Sequence, residues 1–406
     1  MPFPTIIEKS GALSATGLAK EATFGTPVAA STFLPMSSNT LEEEPGWFSP
    51  NLMQGYRDKQ IYNLYGEAKF AGAITGPIFP SNAMALMVAS IGADAPAGYG
   101  VTGTAGSGST TLSGTVSAGA SSITVASASG FSTGQVVQID VNNTTGPTTS
   151  ECRKVTVSGT TFTLDQPLVY GHTSGATIAG VVAPYTHTIN QANTLPSLTV
   201  EKNIGGFQSL QFAGCRVNKF DLKAPVGNSP VEMTADLMGQ SVAVLNNPTA
   251  ISVTNEMPFV FAEAALTIFG TSRAEASNVA ISVENGVKET YTYSGNHGPS
   301  YLTPVNLHAT GTIDLVWSSL NDATYGDFNR MVNGTLGALT FSLTHPSTNG
   351  TITINMPQIA LSKFANDLKA DDIVLSQLTY EASRPLSGAS QYTISATVVN
   401  NVYIAY

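Results

Sequence analysis

The sequence predicts a mainly β protein: two similar halves with one short helix each, and a small all-β module inserted in the first half. Three observations predict it. Charged residues make up only 11% of the 406 positions, well under the roughly 25% usual in soluble proteins. The 42% hydrophobic share can still support a core, and the missing charges are replaced by Ser, Thr, Asn and Gly, which argues against long helices. Second, short segments alternate apolar and polar residues with the period of two that marks half-buried strands. Third, one order of elements occurs twice.

In the first half that order is GEAKFAG (66–72), the helical stretch SNAMALMVASIG (81–92), then SLTVEK (197–202), GCRVNKFDLKA (214–224) and VEMTADL (231–237). Ser81 or Asn82 caps the helix and Gly92 stops it. In the second half it is GTIDLVW (311–317), the helical stretch SLNDATYGDFNRMVNG (319–334), ALTFSLT (338–344), QIALSKFANDLKA (358–370) and DIVLSQLTY (372–380). Both fourth members carry a Lys-Phe pair and end in Asp-Leu-Lys-Ala. This reads as an internal duplication, with residues 1–96 and 184–250 as the first copy and 251–406 as the second.

Residues 97–183 stand apart. From Val101 to Gly180, 29 of 80 residues are Ser or Thr. SSITVAS (121–127), GQVVQIDV (134–141), CRKVTVSG (152–159) and TTFTLDQP (160–167) nevertheless alternate, with turn residues between them. They predict an inserted β-domain behind a flexible Gly/Ser-rich lead at 100–110.

The formal charge of −10 disfavours a basic nucleic-acid groove. Cys152 and Cys215 suggest neither a disulfide framework nor a metal site. No signal-peptide pattern opens the chain, and the uncharged run from Ala83 to Ala93 is too short to cross a bilayer. The expectation is a cytoplasmically made protein whose Asn143 and Asn333 sequons carry no glycan.

Catalytic patterns are weak. GFSTG (130–134) has nucleophile-elbow spacing but no following helix. Gly98, Gly100 and Gly103 lack the strand and helix of a dinucleotide site. Asp140, Asn142, Thr144 and Glu151 have Ca²⁺-loop spacing without its glycine, and read as a turn. The five histidines lack ligand spacing and read as surface or turn residues. Glu42, Glu43 and Glu44 read as a solvated loop, followed by Trp47 and Phe48 as loop aromatics that suggest a partner surface. No catalytic residue, cofactor or metal site is expected.

GLAKEATFGTPVAASTFLPM (17–36) resembles the N-terminal signature of the tail tube proteins of long, non-contractile-tailed bacteriophages. Further matches follow in order: the acidic, aromatic loop 41–60, KFDLKAPVGNSPVEMTADLMGQ (219–240), FAEAALTIFG (261–270), SVENGVKE (282–289), INMPQIALS (354–362) and DDIVLSQLTYEA (371–382). The resemblance covers about 17–96 and 184–401. It implies a tail-tube β-sandwich whose strands continue into neighbouring subunits, so that rings close and stack into the conduit for DNA ejection. A duplicated chain is expected to form a trimeric ring with pseudo-six-fold symmetry, the alternative being a hexamer. Expected partners are further copies, the tape measure, tail terminator and tail tip proteins, and DNA in transit without specific binding; no membrane insertion is expected. Glu67, Glu232, Asp236 and Asp314 are the expected acidic lumen residues. Trp47, Phe48, Tyr56 and Arg57 are the expected ring-stacking contacts, with 285–306 as the counterpart loop in the second copy. The insertion is expected to decorate the outer wall. The rival readings are a virion surface adhesin working through the insertion and, on GFSTG alone, a hydrolase.

Overall fold

A computed structural model describes residues 11–53, 55, 57–58, 62–81, 83–92, 99–141, 149–253, 256–317, 326–346, 350–367, 373–388 and 391–403. The chain is mainly β. It begins with β1 (Ala15–Lys20), β2 (Thr32–Leu34), β3 (Ser38–Asn39), β4 (Glu42–Phe48), β5 (Leu64–Pro77) and α1 (Ala83–Ile91). There follow β6 (Tyr99–Thr111), β7 (Ser122–Thr124), β8 (Val136–Ile139), β9 (Glu151–Ser158), β10 (Thr161–Leu164) and β11 (Thr177–Asn190). Next come β12 (Leu198–Ile204), β13 (Gln208–Pro225), β14 (Glu232–Gly239) and β15 (Ser241–Leu245). The remainder opens with β16 (Ala264–Ile268), β17 (Thr271–Ser272), β18 (Ala276–Glu284), β19 (Lys288–Thr290), β20 (Tyr301–Thr303) and β21 (His308–Val316). It closes with α2 (Asp327–Val332), β22 (Gly337–Thr344), β23 (Thr351–Asp367), β24 (Leu375–Ala382) and β25 (Ser395–Asn400).

Alternation sets the faces. In β14, Met233, Ala235 and Leu237 are buried while Glu232, Thr234 and Asp236 are not. Helix α1 is apolar all round, so it sits inside the core, against β13, β11 and β25. It stops where expected: Gly92 has φ +94°, and a Cβ there would meet the Thr194 carbonyl oxygen at 2.9 Å. The second helix is shorter than expected, with 318–325 outside the described residues. Its Asp327 is buried and receives hydrogen bonds from both terminal nitrogens of the buried Arg273, at 3.2 and 2.6 Å.

The pairing order recurs. In the first half β1–β12–β13–β14–β5 are joined antiparallel, with β15 added to the first part of β13. In the second, β16–β22–β23–β24–β21 are joined likewise, with β25 added to the first part of β23. Each long strand slips register immediately before its Lys-Phe pair, between Val217 and Lys219 and between Leu361 and Lys363.

The expected flexible lead at 100–110 is instead strand β6, paired along its length with β11. Its small residues suit close strand contact: a Cβ on Gly103 would lie 2.6 Å from the Val181 Cβ. Strands β6–β11 enclose a second core built on Ile123, Val137, Ile139, Val155, Phe162 and Ile178. The expected boundary after residue 183 falls inside β11, whose end from Tyr185 to Asn190 pairs with β25.

The signature Lys20-Glu21 and Phe24-Gly25-Thr26-Pro27 also gains a physical meaning. The buried Glu21 carboxylate accepts hydrogen bonds from Gly25 N–H (2.9 Å), Gly214 N–H (2.8 Å) and the Thr199 hydroxyl (2.9 Å). It thereby fastens the turn after β1 to β12 and β13.

His187, on β11, is buried against Asn400 and the Val402 carbonyl, and burial pushes its imidazole down to about 4. The folded value lies below the unfolded one of about 6.5. The neutral ring's contribution is therefore complete above pH 6.5 and is lost as pH falls towards 4, on the order of 3 kcal/mol in all. Urea unfolding at stepped pH should show this acid loss, and His187→Gln should reduce the slope between pH 6.5 and 4.

Candidate functional site

Eight strands form one continuous antiparallel sheet in the order β4–β5–β14–β13–β18–β21–β24–β23. Four come from each half, and the seam between halves is the β13–β18 pair. One face carries the core residues Phe70, Ile74, Met233, Phe220, Ile281, Ile313 and Leu378.

The opposite face carries the charges. Cross-strand partners share a face, so the register locates each acid expected from the sequence. Glu232 lies opposite Pro77 and Lys223, and Asp236 opposite Ala73 and Lys219. Asp314 lies opposite Asn278 and Gln377, accepting hydrogen bonds from both amides at 3.0 and 2.8 Å. Glu67 is exposed on the same side of β5 as Lys69. The structure thus brings all four together on one surface. Beside them stand Glu42, Glu44, Asp221, Glu284 and Glu381, against Lys69, Lys219, Lys223 and Lys363. Carboxylates outnumber cations, so the face carries net negative charge. Lys219 Nζ donates to Asp221 at 2.8 Å, a bond that holds its ammonium above the ordinary range. Partial burial raises Asp236, and the Asp221 charge adds to the effect.

The interface candidates lie at one edge of this sheet. The acidic run and its aromatics are not a loop, as expected, but strand β4, exposed throughout and paired with β5 alone among the described strands. Pro45 and Gly46 look like turn residues in sequence. At a sheet edge, however, a missing N–H costs nothing when it points outward, and the register slips between Pro45 and Trp47. Trp47 and Phe48 are 62% and 54% exposed and line a groove with Glu44, Pro45, Glu67 and Lys69. Trp47 packs on Tyr65 at 5.1 Å, which stacks on His297 at 4.1 Å. Arg57 is exposed; Tyr56 lies outside the described residues. The expected counterpart 285–306 holds the β19–β20 hairpin, and its loop rests on β5. There Ala68 N–H donates to the His297 carbonyl (2.8 Å), and the Tyr291 hydroxyl donates to Ala68 O (3.2 Å).

The other motifs do not converge on chemistry. GFSTG is the connection between β7 and β8. Asp140 and Glu151 are buried on either side of His172, with Asn142 and Thr144 outside the described residues. The expectation that the histidines are surface or turn residues fails for three of the five: His172, His187 and His345 are buried. Spacing could not reveal this, because their partners come from other parts of the chain. Among the described residues no cluster of three or more His, Cys, Asp or Glu could hold a metal, and no helix is long and apolar enough to cross a membrane.

No curated protein matches the chain. A protein-family model does, described as phage tail tube protein, over residues 11–391 and so across the inserted strands as well. The adhesin reading finds no support in that match. A mainly β chain with an acidic sheet face, matched over nearly its whole length, therefore belongs to the phage tail tube protein family, structural components of the virion tail.

Proposed function

We propose that this chain acts by assembly alone, without catalysis, as a homotrimeric ring with pseudo-six-fold symmetry that stacks into the tail tube. The observation that carries the reading is the eight-stranded sheet, built from two four-strand sets with one pairing order, in which no described strand covers the outer edge of β4 or of the second part of β23. Joining sheets edge to edge removes those open edges. Three chains give twenty-four strands; at about 4.8 Å per strand and a tilt of about 40°, the barrel radius is on the order of 24 Å. Six chains would double it, and the trimer is the size that leaves a lumen suited to one DNA duplex.

The acidic face, with Glu67, Glu232, Asp236 and Asp314, lines this lumen. Phosphates bound there by lysines would be held through counterion release; a net negative wall lets DNA pass. Ring-to-ring contact is heterologous and so builds a filament. It uses Trp47, Phe48, Tyr56 and Arg57 together with the loop of 285–306. Tape measure, terminator and tip proteins meet the ends and interior of that filament. Residues 97–183 are a decoration on a duplicated tube fold, 1–96 with 184–250 followed by 251–406.

Electron microscopy of the purified protein tests the assembly. Three-fold rings or tubes of uniform width are expected, and a persistent monomer at high concentration contradicts the reading. The insertion has its own test. Gly103 and Tyr185 are direct partners on β6 and β11, so a two-residue Asn-Gly turn can replace 104–184. The shortened chain should still form tubes, with a thinner outer wall; loss of assembly would make the inserted strands part of the tube.

A further inference from the structure

The two halves already form one joint within the chain, and its geometry specifies the next. In that joint β18 pairs with its own half's β21 on one side and the other half's β13 on the other. The register runs from Lys219–Glu284 to Pro225–Asn278. Asn285 N–H donates to the Asn218 carbonyl at 2.8 Å just beyond it. This makes Lys219–Glu284 one of the close, non-hydrogen-bonded pairs of the ladder.

Each member has a counterpart at an open edge. The slips before the Lys-Phe pairs align β23 with β13, setting Lys363 in the place of Lys219. Following pairing outward from there, Lys69 takes the place of His308, and its partner Glu44 takes that of Glu284. Glu44 and Lys363 are both exposed, and no described strand covers the outer edge of β4 or of β23 from Leu361 onward.

We infer that β4 of one copy pairs antiparallel with the second part of β23 in the next copy, in the register Lys363–Glu44, Phe364–Glu43 and Ala365–Glu42. The occupant of each open edge is therefore a second copy of this chain. This rests on the ring reading above and adds which strands meet and in what register. Charge agrees with it: the acidic run of β4 comes to lie beside Lys363, and Glu44 is set between that lysine and its own Lys69, as Glu284 lies between Lys219 and His308. Pro45 stands where Asn285 stands in the internal joint and has no N–H to donate. The ladder thus ends at Glu44, and Trp47 and Phe48 lie beyond it, free for ring stacking.

Close non-hydrogen-bonded pairs have Cα atoms about 4.5 Å apart, within disulfide reach. The full chain carrying Glu44→Cys and Lys363→Cys, oxidised and run on a non-reducing gel, should give mainly a covalent three-chain product. Cys152 and Cys215 are buried with thiols pushed up, Cys152 to about 12, and stay unreactive. Glu42→Cys with Lys363→Cys, out of register by two residues, should link about ten-fold less efficiently. Rings in the microscope without the Glu44–Lys363 link, or equal linking in the shifted pair, would overturn the joint but leave the ring standing. Neither rings nor links, even in the unsubstituted chain, would overturn both. Charge reversal gives a second arm free of thiols. Glu44→Lys should raise the concentration needed for rings about ten-fold, and adding Lys363→Glu should restore it; a double variant no better than the single contradicts the joint.

Discussion

Wherever a β-sheet stops, it leaves a row of backbone N–H and C=O groups without partners. Much of this chain's construction is a response to that constraint. Within each half, β12 or β22 covers the first part of one edge of the long central strand, while the second part of that edge is left to another sheet. In the first half that second part of β13 is taken by β18. In the second half no described strand takes the equivalent part of β23. The chain therefore ends its eight-strand sheet with a strand edge of the kind it has already paired once.

Composition follows from the same constraint. A surface destined to lie between copies is poor in charge, and only 11% of this chain is charged. Where the sheet faces away from its core the acids prevail, with more carboxylates than lysines. Edge protection is local and modest: the three glutamates of β4 and Pro45 discourage indiscriminate pairing, while Lys363 supplies the complement that one particular partner edge would need.

Much of this was legible in the sequence, and the misses have physical causes. VEMTADL could be read because alternation directly reports a half-buried strand, and β14 buries the residues the pattern selects. Gly92 could be read because helix termination is a local event. The acidic candidates fell on one face because period-two alternation fixes facing once register is known. Strand β4 was misread as a loop because proline, glycine and a run of like charges are loop signals everywhere except at a sheet edge. The lead at 100–110 was misread because Gly and Ser suit close strand approach as well as flexibility. Glu21 sat in a recognisable signature, yet its work as a clamp on Gly25, Gly214 and Thr199 depends on residues almost two hundred positions away. The buried histidines were lost for the same reason.

The central claim is that β4 and the second part of β23 are open in the single chain and hydrogen-bonded in the tube. Backbone hydrogen exchange, compared between unassembled chain and assembled tube, tests this most directly. Alternate amides of these strands already bond β5 and β24. The outward-pointing amides of Glu43 and Phe364 should exchange fast in the single chain and become protected on assembly, while those that join β13 to β18 are protected in both. Tubes in which the Glu43 and Phe364 amides still exchange fast, while another surface becomes protected, would contradict the account.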